Sequence, residues 1–255
     1  TTQKATVAKG QVFSNSLRNS LMINMITEYK LDGNASDTWG THTAGTVSGA
    51  STYSSCPQGT CYSFDNIDDY IELADASDLR MTTGGTISVW IYPESHGEGS
   101  HGSIICKGTD SLATGGYYFI LDSPNKIIGR INTGTYLVSS GAITFNQWQL
   151  ITATFNGSGR KIYLNGVDIT FSGGGETALP PNSSGIIRIG NASYSTDQTF
   201  DGYIDDVQIY NAIMPTSQIQ QMYFAGINKL FAKNQITALD YDQRLAELSN
   251  NYAKE

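Results

Sequence analysis

A chain of 255 residues is long enough to bury a full core, either as one large domain or as a domain with appendages. Its net charge of -8 repels phosphate backbones and anionic membrane surfaces, so nucleic acid is not an expected partner. The 27 Gly and 15 Tyr, set among many Ser, Thr and Asn, suit a β-sandwich with many turns.

Residues 1–29 carry a helical period. Phe13, Leu17, Leu21, Met25 and Tyr29 recur every four residues, and Met22 and Ile26 widen the stripe. The spacing predicts an amphipathic helix ended by Asp32-Gly33-Asn34. Two readings stand for it: a helix packed on its own domain, or the lower half of a longer helix. Within the chain no apolar run approaches the roughly 20 residues that span a bilayer, so membrane contact is expected only through a segment preceding Thr1.

From residue 30 to 211 the pattern becomes short alternating runs separated by Gly, Asn and Ser. Cys56-Pro-Gln-Gly-Thr-Cys61 reads as a turn bringing two thiols to disulfide distance, which would imply an exported protein. Cys106, after Ile104 and Ile105, reads as a buried thiol. Strands are predicted at 69–73, 86–92, 116–121, 127–131, 149–155 and 186–189. Lys161-Ile-Tyr-Leu, Asn165-Gly166 and Val167-Asp-Ile-Thr170 form a hairpin with a type I′ turn. Many short strands without intervening helices argue for a two-sheet antiparallel sandwich. The run 200–211 places Val207 and Ile209 on one face, with Asp205 on that same face and therefore pointing inward. Beyond Tyr210 the helical period returns. One helix follows Pro215-Thr216-Ser217 and ends at Gly226; another starts at Thr237, with Tyr241, Leu245, Leu248 and Tyr252 on one side.

Catalytic patterns are weak. Asn66-Ile-Asp-Asp-Tyr-Ile-Glu72 lacks the carboxylate spacing of a retaining glycosidase, and His42, His96 and His101 lie in Gly/Ser-rich stretches without zinc-site geometry. Tyr136 and Tyr194, in polar loops, are the candidate ligand-contact residues.

Taken in order, several elements carry a resemblance to laminin-G-like (concanavalin A-like) jelly rolls. They are Tyr29-Lys-Leu-Asp-Gly33 with Asp37-Thr-Trp-Gly40, Ser63-Phe-Asp-Asn66 with Asp69-Tyr-Ile-Glu72, Ile87-Ser-Val-Trp-Ile-Tyr-Pro93, Trp148, Tyr163-Leu-Asn-Gly166, and Gly202-Tyr-Ile-Asp-Asp-Val-Gln-Ile-Tyr-Asn211. The resemblance implies a mostly β, two-sheet antiparallel jelly roll over 30–225, with Trp90 and Trp148 in its core. It also implies a structural Ca²⁺ held by Asp205 at the last strand, with Asp32, Asp37 or backbone carbonyls near Asn34 and Asp65 completing the shell. Separately, Lys9-Gly-Gln-Val-Phe-Ser-Asn-Ser-Leu-Arg-Asn-Ser-Leu21 and the run 225–245, which opens the helical tail 226–255, resemble the first helix and the end of type IV pilin-like and pseudopilin-like proteins. The expected function is then a non-catalytic, extracellular, cell-surface appendage subunit. Its head would bind a glycan or surface protein, and Phe13, Leu17, Leu21 and Met25 would pack against other pilin-like subunits. The alternatives are a secreted carbohydrate-binding module of a larger enzyme and a glycoside hydrolase.

Overall fold

The computed structural model describes residues 24–252 apart from 58, 109–115, 132–135, 141–142, 173–183 and 196. In chain order the strands are β1 (Met25–Tyr29), β2 (Thr46–Ser48), β3 (Ser51–Tyr53), β4 (Cys61–Asp65), β5 (Tyr70–Leu73), β6 (Gly84–Pro93), β7 (His101–Lys107) and β8 (Tyr117–Asp122). They continue with β9 (Lys126–Ile131), β10 (Leu137–Ser139), β11 (Gln149–Asn156), β12 (Gly159–Leu164), β13 (Val167–Asp168), β14 (Thr170–Ser172), β15 (Ile187–Ile189) and β16 (Asp201–Tyr210). Two helices close the chain, α1 (Thr216–Ala232) and α2 (Ala238–Tyr252).

The strands build two antiparallel sheets. The first runs β13-β12-β11-β6-β16-β4-β3, with β1 also on β16; the second runs β14-β10-β9-β8-β7-β15-β5-β2. This is the predicted sandwich. On β6, Ile87, Val89 and Ile91 face the core between the sheets, with Phe119, Ile151, Phe155 and Ile204 among their companions. Alternation therefore sends Ser88, Trp90 and Tyr92 to the outer face of the first sheet. The hairpin at Asn165 and Gly166 has positive φ at both residues (53° and 82°), as a type I′ turn requires.

Three expectations are corrected. First, the predicted N-terminal helix cannot extend to Tyr29, because Met25–Tyr29 is a strand paired with Val207–Tyr210. Hydrogen bonding to β16 overrides the four-residue period there. Met25 packs beside Tyr163, Tyr210, Met214 and Ile219 of its own domain, while Phe13, Leu17 and Leu21 lie outside the described residues. Second, β16 is bulged between Asp205 and Gln208, with Asp206 at φ 52°. The extra residue reverses the alternation. Asp205 pairs with Trp90 and so lies on the outer face, fully buried, whereas Val207 and Ile209 face the core. Third, Gly226 does not end its helix. Helix α1 runs on to Ala232, and Gly226 lies directly against the Trp90 indole.

That last contact fixes a second apolar layer. Trp90, Trp148, Leu150, Tyr223, Ile227 and Leu230 pack together, so both tryptophans are buried beneath α1 rather than between the sheets. Helix α2 joins this layer. The Thr237 hydroxyl caps it by accepting the Asp240 amide at 3.1 Å, and Tyr241 stacks on Phe231 with ring centroids 4.6 Å apart.

A Cβ at position 226 would overlap the Trp90 indole, and neither the helix nor the sheet can retreat without unpacking this layer. Gly226→Ala is therefore expected to destabilise the fold by about 1–2 kcal/mol despite alanine's better helix propensity. A urea denaturation curve checks it.

Candidate functional site

The outer layer leaves one end of the first sheet open as a cleft of about 870 Å³, within the range of small-ligand sites. Its floor comes from three strands. Tyr92 of β6 and Tyr203 of β16 are direct cross-strand partners, so both rings stand on the outer face. Trp148, just before β11, meets Tyr92 edge-on at 5.6 Å and Tyr203 at 6.4 Å. Tyr53, the last residue of β3, stacks on Tyr203 with centroids 4.3 Å apart and an interplanar angle of 25°. Tyr53 is 41% exposed, so its other face is presented to solvent.

The walls come from turns. Cys56 and Cys61 form the expected disulfide, which closes the β3–β4 loop carrying Ser54, Ser55 and Gly59. The Ser55 carbonyl accepts the Trp148 indole N–H at 3.3 Å, and the Cys56 carbonyl accepts Lys233 Nζ at 3.0 Å. Lys233, Asn234 and Gln235 form the α1–α2 turn. Asn234 takes a left-handed conformation (φ 57°) that ends α1, while the Gln235 amide bonds back to the Leu230 carbonyl. Arg244 of α2 fastens this turn to the floor by donating to the Trp148 carbonyl at 2.9 Å. Glu94, exposed beyond the end of β6, completes the lining and is its only carboxylate among the described residues. Burial first and the Glu94 charge second raise the pKa of both the Tyr92 and the Tyr203 hydroxyl.

The two tyrosines expected to contact ligand lie elsewhere. They flank Tyr118 on the outer face of the second sheet. Tyr136, half-exposed, has the Arg130 guanidinium 5.2 Å above its ring. Tyr194 donates to Gln198 at 2.8 Å and packs with Cys106 and Tyr118; burial pushes its hydroxyl up to about 12. Cys106 is buried and outside any disulfide, as expected.

The three aspartates expected to hold Ca²⁺ are not gathered into one cluster. Asp37 accepts the amides of Glu28, Trp39 and Gly40 through one oxygen and meets His42 Nδ1 at 2.8 Å through the other. Burial alone would raise its pKa, but these hydrogen bonds bring it down to about 2. Asp32 accepts the Thr60 amide at 2.8 Å, and Asp205 sits beneath the outer layer opposite Trp90. Both oxygens of Asp37 are thus committed to closing a loop, and the three carboxylates do not fit a shared calcium ion. Among the described residues, the group of potential ligands that does converge is Asp65, Asp68 and Asp69 at the β4–β5 turn. In the carboxylate run considered for hydrolysis, Glu72 is paired with Arg188 at 3.1 Å.

A family model described as the concanavalin A-like lectin/glucanases superfamily matches residues 64–220. No curated protein matches the sequence significantly. Among solved structures, the chain is similar to domain 4 of AbnA, a GH43 extracellular arabinanase from Geobacillus stearothermophilus, in complex with arabinotriose. That match has 19% identity and a TM-score of 0.59, covering 78% of this chain and 98% of that one. The binding domain of Paraclostridial Mosquitocidal Protein 1 shares 16% identity at TM-score 0.60, with 82% and 53% covered. A botulinum neurotoxin type C structure, whose cell entry is described as dependent on two ganglioside molecules, shares 17% at TM-score 0.60, with 82% and 52% covered. At these identities the likeness is one of fold; the chain spans about half the length of the solved chains in the last two structures.

The disulfide closes a loop with a sequence separation of 5. Replacing both cysteines by serine is expected to cost about 2 kcal/mol, read from thermal denaturation. A second outcome concerns pH. Burial opposes the charged form of His42, but hydrogen bonds to Asp78 (3.1 Å) and Asp37 outweigh it and raise its pKa above 6.5. A raised folded pKa gives stability that is fully present below pH 6.5 and is lost as pH rises through the folded value. The melting temperature of the native chain is therefore expected to fall relative to His42→Gln as pH is raised from about 5.5 to about 8.5.

Proposed function

The chain belongs to the concanavalin A-like lectin/glucanases superfamily, and we propose that within it this protein is a non-catalytic glycan-binding domain whose ligand lies in the cleft on Tyr53 and Tyr203. The observation that carries this reading is the aromatic platform: a tyrosine with one ring face packed and the other presented to solvent, bordered by side-chain amides and a carboxylate. Sugars offer a flat C–H face that packs on such a ring and hydroxyls that pair with amide and carboxylate oxygens.

Absence of catalysis is supported by the site's chemistry. Glycoside hydrolysis needs two carboxylates flanking the scissile bond. Among the described residues the cleft offers Glu94 alone, and Glu72 on the other sheet is held by Arg188.

The setting we propose is display on a surface appendage outside the cell. The support is the resemblance of residues 9–21 to a pilin-like stem, and those residues lie outside the described structure. A second reading, a binding module of a larger enzyme, is favoured by the arabinanase, in which a domain of this fold is one part of an enzyme. Both readings place the same binding function in the same cleft.

Tyr53→Ala removes the exposed ring while leaving the core untouched. It is expected to weaken oligosaccharide binding by about tenfold or more, with little change in melting temperature. Affinity electrophoresis or calorimetry with and without the variant checks this; undiminished binding would place the ligand elsewhere.

A further inference from the structure

Helix α2 supplies none of the described residues that line the cleft, yet it is fastened to the cleft floor. Among the described residues of α2 the one buried side chain is Arg244, 7% exposed, while Tyr241, Leu245 and Leu248 are only half-buried. A helix held by apolar burial alone would sink such a stripe into the core. Here the stripe is shallow and the deepest group carries a charge. The Arg244 guanidinium donates to the Trp148 carbonyl at 2.9 Å and reaches the Tyr223 hydroxyl at 3.5 Å, and its Nε donates to Asp240 at 3.1 Å. A buried guanidinium keeps its place only while acceptors meet it. Docking of α2 therefore depends on Arg244 more than on the helix's apolar face.

The acceptor links this docking to the site. Trp148 is held at its ring by the disulfide loop, whose Ser55 carbonyl accepts the indole N–H at 3.3 Å, and at its backbone by Arg244. Its ring packs with Tyr92 and Tyr203 in the cleft floor. The wall residues Lys233, Asn234 and Gln235 have α1 on one side and α2 on the other. Gly226 against Trp90 seats α1. Helix α2 is set by Arg244, by the Tyr241 hydroxyl donating to Asn228 at 2.6 Å, and by the Tyr241 ring on Phe231. With α2 undocked, the Trp148 carbonyl loses its side-chain donor and the turn loses one of its supports.

We infer that α2 is a latch for the cleft and that Arg244 is its positioning residue, an inference that rests on the glycan-binding reading above. The docked helix holds Trp148 and the polar wall in the binding geometry, so part of the ordering cost of binding is met before a ligand arrives. Linkage makes the effect mutual. If undocking weakens binding by some factor, a bound ligand opposes undocking by the same factor.

The test uses the full chain with arabinotriose, cellotriose and galactotriose. Calorimetry compares the native chain with Arg244→Met, Arg244→Lys and, as a control, Gln243→Ala at an exposed position of α2. For a sugar that binds the native chain, Arg244→Met is expected to bind about tenfold more weakly. Arg244→Lys keeps the charge and donors for the carbonyl, and is expected to recover affinity to within about threefold of native. Gln243→Ala is expected to match the native chain. Hydrogen exchange at the backbone amides of 242–250, none of them in the cleft lining, is then followed with and without saturating sugar. Bound sugar is expected to slow this exchange about tenfold in the native chain, a change that a merely structural helix would not show. The exchange measurement needs no variant, so it decides the question even where Arg244→Met fails to fold. Native-like affinity in Arg244→Met, or α2 exchange unaltered by bound sugar, would overturn the latch and leave the cleft on Tyr53 as the binding site. Binding of none of the three sugars would sink the glycan-binding reading and the latch with it.

Discussion

One extra residue in β16 decides which side chains reach which face of the first sheet. Before the bulge, Tyr203 points outward and Ile204 inward; after it, Val207 and Ile209 point inward and Gln208 and Tyr210 outward. A regular strand could not put Tyr203 in the cleft and Val207 in the core, because odd-numbered residues would share a face. The bulge also divides one edge of β16 between two partners. β4 takes residues 201–204 and β1 takes 207–210. The central strand thereby closes the sandwich, anchors the start of the described chain and supplies the floor of the site.

The outer layer translates that arrangement into a cleft. Trp90 fills the space above the bulge, and only a glycine at 226 lets α1 approach it. Once α1 is seated, its end and the turn that follows come to lie beside Trp148 and the disulfide loop, joined by the Lys233, Trp148 and Arg244 hydrogen bonds. Each of these bonds runs from a side chain to a backbone carbonyl. They fix the position of backbone as well as of side chains, which is what a preorganised binding wall requires.

Much of this is legible in the sequence. The strands at 86–92, 149–155 and 161–170 are readable because their alternation is undisturbed and Asn165-Gly166 has one favoured turn. The disulfide follows from a short Pro/Gly loop. Other features are not readable. Met25–Tyr29 has a helical spacing of apolar residues, yet its backbone is satisfied by β16, a strand from the far end of the sandwich sequence. Short strands such as β2, β3 and β10 carry too few residues for any period to show. The inward placement of Asp205 follows from regular alternation, which the bulge breaks. The cleft is hidden for a related reason: Tyr53, Tyr92, Trp148 and Tyr203 are far apart in sequence, and nothing local marks their rings as neighbours. A pair of aromatics at cross-strand positions, such as Tyr92 and Tyr203, becomes a signal only when the register is known.

The segment that matches the family, residues 64–220, contains Tyr92, Glu94, Trp148 and Tyr203 but neither Tyr53 nor Lys233, Asn234 and Gln235. The floor of the cleft therefore lies within the matching segment, whereas the exposed ring on β3 and the polar wall from the disulfide loop and the helical tail lie outside it. A ligand resting there would touch both. On the proposed reading its affinity would draw on aromatic positions set by the sandwich, and the groups outside the matching segment would contribute to the choice among ligands. Proteins with the same sandwich and different additions would then bind different ligands without any change in the core. This is why likeness of fold to a domain in complex with arabinotriose, or to a neurotoxin whose cell entry depends on gangliosides, fixes neither ligand for this chain.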